Sequence, residues 1–126
     1  MTLSHEELFL RYLHAGAISR DPDAVAALFT EDGVYEAPLQ SLRFTGRPAI
    51  RDGVAALHRR LTTAGILDAE RSGYILHETL TPDVFIAEID TVLTHPDGPS
   101  TTVALTQIFR VHKSHITLLR DYFQTP

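Results

Sequence analysis

The chain has 126 residues, 44% of them hydrophobic and 21% charged, and a formal charge of -5. That balance fits one packed domain over residues 1–126 and excludes a disordered polyelectrolyte. With 11 Lys and Arg against 16 Asp and Glu, and no basic run longer than His58-Arg59-Arg60, nucleic acid is not an expected partner.

The absence of cysteine excludes disulfides, thiolate metal sites and cysteine nucleophiles. Residues 1–7 lack the basic patch and apolar run of a secretory signal, and no apolar stretch approaches the roughly 18 residues of a membrane span. A cytoplasmic protein without a membrane partner is expected.

Ser4 and Glu7 have the spacing of a capping box, and Leu8, Tyr12, Ala15 and Ile18 recur at helical intervals, which predicts an amphipathic first helix. Asp21-Pro22-Asp23 ends it and starts a short second helix over 22–29, with Asp21 as the cap and Pro22 at the first helical position. Glu31-Asp32-Gly33 is turn chemistry. Val34, Tyr35, Glu36 and Ala37 then read as a brief strand that Pro38 stops. Gly46-Arg47-Pro48 opens a third helix with Ile50, Val54, Ala55 and Leu57 on one stripe, ending near Gly65.

From there the period changes. Segments 73–79, 84–94, 102–111 and 116–123 are rich in β-branched and aromatic residues and are separated by Pro82-Asp83, Pro96-Asp97-Gly98 and His112-Lys113-Ser114. Helices first and strands last define an α+β fold in which three N-terminal helices pack on one face of a curved antiparallel sheet.

Two strands carry the candidate chemistry. In 84–94, Glu88 and Asp90 share a face with Val84, Ile86 and Val92, while Phe85, Ala87, Ile89 and Leu93 share the other. Both faces are mostly apolar, so both are expected to be covered. Burial and mutual repulsion would then raise the pKa values of the paired carboxylates toward those of a general acid or base near neutral pH. The competing reading is a solvated face of an open sheet. In 116–123, Asp121 lies between Leu119 and Phe123 on one face; it is read either as a proton-transfer group or as one half of a structural salt bridge with Arg47 or Arg120.

Residues Ile116-Thr117-Leu118-Leu119-Arg120-Asp121-Tyr122-Phe123, together with Leu28-Phe29-Thr30-Glu31-Asp32-Gly33-Val34-Tyr35 and Gly46-Arg47-Pro48-Ala49-Ile50, resemble the SnoaL-like branch of the nuclear transport factor 2-like superfamily. The resemblance spans about residues 6–123. It implies a cone-shaped α+β fold enclosing an apolar pocket, chemistry that needs no cofactor, and a small, mostly apolar ligand. It does not choose among isomerisation, cyclisation, dehydration and hydrolysis, because one fold hosts all of them and non-enzymatic binders as well.

Against the limonene epoxide hydrolase pattern, Asp90 and Asp121 match the two aspartates and Tyr35 the tyrosine, while Glu88 stands at the arginine position and Ala37 at the asparagine position. Against the ketosteroid isomerase pattern, Tyr12 matches the tyrosine donor, with Ala37 and Gln107 at the two aspartate positions. The resemblance therefore implies Asp121, Asp90, Tyr35 and Glu88 as catalytic candidates, and Tyr12, Gln107, Leu119, Phe123 and Phe29 as substrate-binding ones. A non-catalytic ligand-binding or dimerisation module of the same fold is the second hypothesis.

The seven histidines include no pair at metal-ligand spacing, and no serine sits in a nucleophile elbow. Ile89, Leu93, Val103, Leu105 and Phe109 exceed what one layer of helices covers, so a homodimer through the outer sheet face is expected.

Overall fold

The computed structural model describes residues 2–62 and 65–124. Helix α1 (His5–Leu13) begins at the expected box: the Ser4 side chain accepts from the Glu7 N–H at 3.1 Å, and the Glu7 carboxylate accepts from the Ser4 N–H at 3.0 Å. It buries Leu8 and Phe9 and runs into a π-helical turn, His14–Ile18, that buries Ala15. The chain reverses at Arg20, whose φ of 49° lies in the left-handed region. Helix α2 (Pro22–Ala27) starts where Asp21 Oδ1 accepts from the N–H groups of Asp23 and Ala24, and it buries Val25 and Ala26. Helix α3 (Arg47–Thr62) buries Ile50, Val54 and Leu57, one stripe at helical spacing. Its predicted end near Gly65 crosses residues 63–64, outside the described residues.

The strands are β1 (Phe29–Ala37), β2 (Leu42–Thr45), β3 (Ile66–Leu67), β4 (Gly73–Glu78), β5 (Val84–His95), β6 (Gly98–His112) and β7 (His115–Tyr122). They form one curved, unclosed sheet in the order β2-β1-β7-β6-β5-β3, with β4 also on β5. Every pairing is antiparallel except β1 with β7, which is parallel.

Strand β1 starts five residues before the predicted Val34, because the turn residues 31–33 form an irregularity within it rather than a break before it. A Cβ on Gly33 would stand 3.0 Å from the Phe29 Cβ and the Thr30 carbonyl, which is why a glycine occupies that kink.

The core lies between the helices and the inner sheet face. Phe9, Phe29, Phe85 and Phe109 are fully buried there; Phe85 and Phe109 stack at 4.7 Å, and Phe9 meets Phe109 edge-on at 5.9 Å. Ile89, Leu93, Val103, Leu105 and Phe109, the residues that pointed to a dimer through the outer face, all lie on this inner face, in the core or lining the cavity beside it. The three helices therefore cover the apolar surplus that was the reason to expect a homodimer. Among the described residues, no helix is long and apolar enough to cross a membrane.

Candidate active site

A cavity of about 150 Å³ opens between the π-helical turn, α3 and the inner face of β5, β6 and β7. Its walls are apolar (Val54, Leu57, Ile89, Leu93, Val103, Leu105), and its polar groups are few. Three strands supply the central ones through simple alternation. Asp121 on β7 and Gln107 on β6 are direct cross-strand partners. Tyr35 on β1 pairs with Leu119, two residues before Asp121. All three side chains therefore project to the same side of the sheet.

Asp121 is 5% exposed, and two donors hold its two oxygens: the Tyr35 hydroxyl donates to Oδ2 at 2.6 Å, and Gln107 Nε2 donates to Oδ1 at 3.2 Å. Burial pushes its carboxyl from the usual 3.8 up to about 6, with the hydrogen bonds from Tyr35 and then Gln107 pulling the other way. Desolvation exceeds hydrogen bonding, so the group titrates where a general acid or base works near neutral pH. Tyr12 and Tyr35 are both held well above 10, first by burial and then by the Asp121 charge, so both remain protonated donors. Gln107 has one amide end committed to Asp121, and its buried Oε1 has no hydrogen-bond partner among the described residues.

The structure sorts the predicted residues into two groups. Asp121, Tyr35, Tyr12, Gln107 and Phe123 meet at the cavity. Glu88 and Asp90 do not: both are exposed on the outer face of β5, and Glu88 lies 3.1 Å from His77 of the neighbouring strand β4. The expectation that they share the pocket with Asp121 is corrected, because the odd-numbered set of β5, Phe85, Ala87 and Ile89, is more apolar and takes the inner face, leaving both charges in water.

Leu119 and Phe29, expected to line the site, are instead fully buried core residues outside the cavity wall. The salt-bridge reading of Asp121 also gives way: Arg120 donates to Glu36 at 3.1 Å and Arg47 to the Phe29 carbonyl at 2.9 Å.

Sequence reasoning missed Arg20 and His58, which line the cavity from the turn after the π-helix and from α3. Burial, and then the Arg20 charge, lowers the His58 pKa and keeps its imidazole neutral at pH 7. Their only sequence signal was position, next to the helix-breaking Asp21-Pro22 and on the Val54-Leu57 side of α3. Among the described residues, no group of three or more His, Asp or Glu side chains is arranged to hold a metal ion.

A curved, open seven-stranded sheet with three helices on its inner face, enclosing an apolar cavity, defines the nuclear transport factor 2-like class, and solved structures share it. A putative isomerase from Bacillus subtilis aligns at TM-score 0.73 and 18% identity, covering 97% of this chain and 90% of that one. A hypothetical protein with a ketosteroid isomerase-like fold from Catenulispora acidiphila, in complex with trimethylamine, aligns at 0.68 and 20%, covering 96% and 88%. An LEH-like epoxide hydrolase from M. tuberculosis aligns at 0.60 and 22%, covering 93% and 80%. At these identities the likeness concerns the fold. The SnoaL-like domain family matches residues 9–119, and the chain belongs to that family. No curated protein matches its sequence.

Proposed function

We propose that this chain is an enzyme that moves a proton on a small, mostly apolar carbonyl compound, as an isomerase or cyclase does, with Asp121 as the proton carrier. The observation that supports this reading is a lone carboxylate inside an apolar cavity, oriented by Tyr35 and Gln107 and titrating at about 6.

As a carboxylate, Asp121 removes a proton from the carbon next to the carbonyl. The C–H bond breaks, an O–H bond forms on Asp121, and the electron pair moves into the enolate. The Tyr12 hydroxyl donates to the developing oxyanion. Asp121 then returns the proton at another carbon and is regenerated, so the step uses only groups of this chain.

Epoxide hydrolysis by paired acids, the other chemistry the resemblance implies, needs a second carboxylate beside the first, and Asp90 lies on the outer face. The test is conversion of cyclohex-3-en-1-one to its conjugated isomer in D₂O, followed by NMR. Wild type should accelerate it over buffer, and Asp121→Asn should lose on the order of 10²-fold or more while still folding and binding. No acceleration by wild type, or an Asp121→Asn variant as fast as wild type, would point to the non-catalytic binding module instead.

A further inference from the structure

We propose that Gly16 is a specificity-determining residue: the side chain it lacks leaves a recess in the cavity wall that takes an alkyl branch of the substrate, which makes the substrate an alkyl-substituted carbonyl compound. This rests on the reading of the cavity as the substrate site and adds which part of the substrate the π-helical turn meets.

A glycine inside a helical segment costs stability relative to alanine, because it loses more backbone freedom on folding. Two structural reasons can outweigh that cost, a left-handed backbone or a neighbour too close for a Cβ. The chain uses both elsewhere: Gly46 has a φ of 88°, and a Cβ on Gly53 would run into the Phe44 ring. Neither applies to Gly16. It sits within the π-helical turn with a φ outside the left-handed region, and a Cβ there would meet one described atom within 4 Å, Val25 Cγ2 at an ordinary 3.9 Å. The fold accommodates alanine at this position and does not by itself account for glycine.

The same contact shows where the missing side chain would point. Val25 is fully buried, so a Cβ that touches it faces the interior and not bulk solvent. A packed interior would surround that Cβ with several atoms, and only one described atom is in reach. Gly16 and Val25 both line the cavity, so the open side of the position is cavity space. The facing wall, Ile89, Leu93, Val103 and Leu105 of β5 and β6, carries full side chains, which leaves the recess on the side of the turn. A volume of about 150 Å³ is that of an apolar cavity that takes benzene. The body of the ligand is thus about one ring, and the recess receives what is attached to it.

The test uses benzene and n-propylbenzene, with binding measured by calorimetry and stability by the urea midpoint. Wild type should bind propylbenzene about 10-fold or more tightly than benzene, since each buried methylene is worth about 4-fold. Gly16→Ala should weaken propylbenzene about 4-fold and Gly16→Val about 10-fold or more, with benzene changed about 2-fold or less in both. The urea midpoint of Gly16→Ala should equal or exceed that of wild type. Gly73→Ala, at a β4 glycine whose Cβ position is also open but lies outside the cavity, should leave both affinities unchanged. Propylbenzene bound by both Gly16 variants within about 2-fold of wild type would overturn the proposal, since nothing then occupies the recess. Equal losses for the two rings would overturn it as well, since the added methyl then closes the whole cavity, and so would a lowered midpoint in Gly16→Ala, since the glycine is then structural. Wild type that binds neither ring, or binds both equally, also overturns it. Should Gly16→Val fail to fold by circular dichroism, the wild-type and Gly16→Ala comparisons still decide. No arm involves turnover, so a failure here is distinct from a failure of the proton-transfer reading, which the isomerisation assay reports.

Discussion

Asp121→Asn should make the protein more stable at neutral pH while impairing its chemistry. The folded-state pKa of Asp121 is about 6, against 3.8 for an ordinary aspartate. Because the folded value is the higher one, folding binds a proton between the two, and stability falls as pH rises through that window. A rise of about 2 pH units at about 1.4 kcal/mol each is about 3 kcal/mol, present in full below about pH 4 and lost above about pH 6. Asparagine has nearly the same shape, can still accept one of the two hydrogen bonds, and carries no charge at any pH. Urea titrations at half-unit steps from pH 4 to 7.5 should therefore show the variant within about 1 kcal/mol of wild type at the acid end and about 2–3 kcal/mol more stable at the neutral end. Taking the difference between the two proteins removes the contribution of the other carboxylates, including Glu7, whose Ser4 hydrogen bonds lower its pKa and give it the opposite slope. A difference that stays flat across this range, or an asparagine variant weaker at pH 7.5, would show that Asp121 is not charged in a dry cavity, and the proposed base would go with it.

Three further outcomes follow from the same geometry. The rate of the proposed proton transfer should rise with pH through an apparent pKa near 6 and then level off, since the carboxylate is the active form; a profile flat from pH 5 to 8 excludes Asp121 as the base. Tyr35→Phe removes a 2.6 Å hydrogen bond to a charged acceptor, worth about 1.5–3 kcal/mol, and should raise the Asp121 pKa by roughly 1–2 pH units, read from its carboxyl carbon by NMR; an unchanged or lowered value contradicts the assignment. Phe109→Ala opens the centre of the aromatic cluster and should cost about 3–5 kcal/mol in chemical denaturation, with a cost under about 1 kcal/mol refuting its central place.

The sequence carried the fold through its periods. Ser4-Glu7 and Asp21-Pro22 mark helix starts through local hydrogen bonds, and the stripe Ile50-Val54-Leu57 records the buried face of α3. β2 and β3 were missed because four and two residues are too few for alternation to show. The parallel pairing of β1 with β7 joins segments about 80 residues apart, which no local pattern encodes.

Alternation along β5 was also legible, since its residues do divide into the two expected sets. Which set faces inward was the harder step, and weighing the cost of burying two charges against the entirely apolar Phe85, Ala87 and Ile89 would have settled it. Arg20 and His58 meet the cavity because a π-helical turn and a helix converge there, a tertiary fact that neither segment records beyond the position of each residue.

The position of Asp121 follows from the same aromatic core that stabilises the fold. Gln107 and Phe109 are successive inward residues of β6; Phe109 is stacked on Phe85, met edge-on by Phe9, and met again by Tyr12 with ring centroids 5.4 Å apart. A single buried ring therefore lies one inward position from the amide that donates to Asp121 and packs against the tyrosine that lines the cavity. A carboxylate whose ionisation costs about 3 kcal/mol in the folded state is tolerable only on a scaffold whose neighbouring packing contributes more than that. Phe109 and the two phenylalanines packed on it, each contributing roughly 2–3 kcal/mol by burial, exceed that cost. Core packing and the polar cluster are in this way set on consecutive inward positions of one strand: Phe109 anchors the aromatic rings, and Gln107 donates across to Asp121.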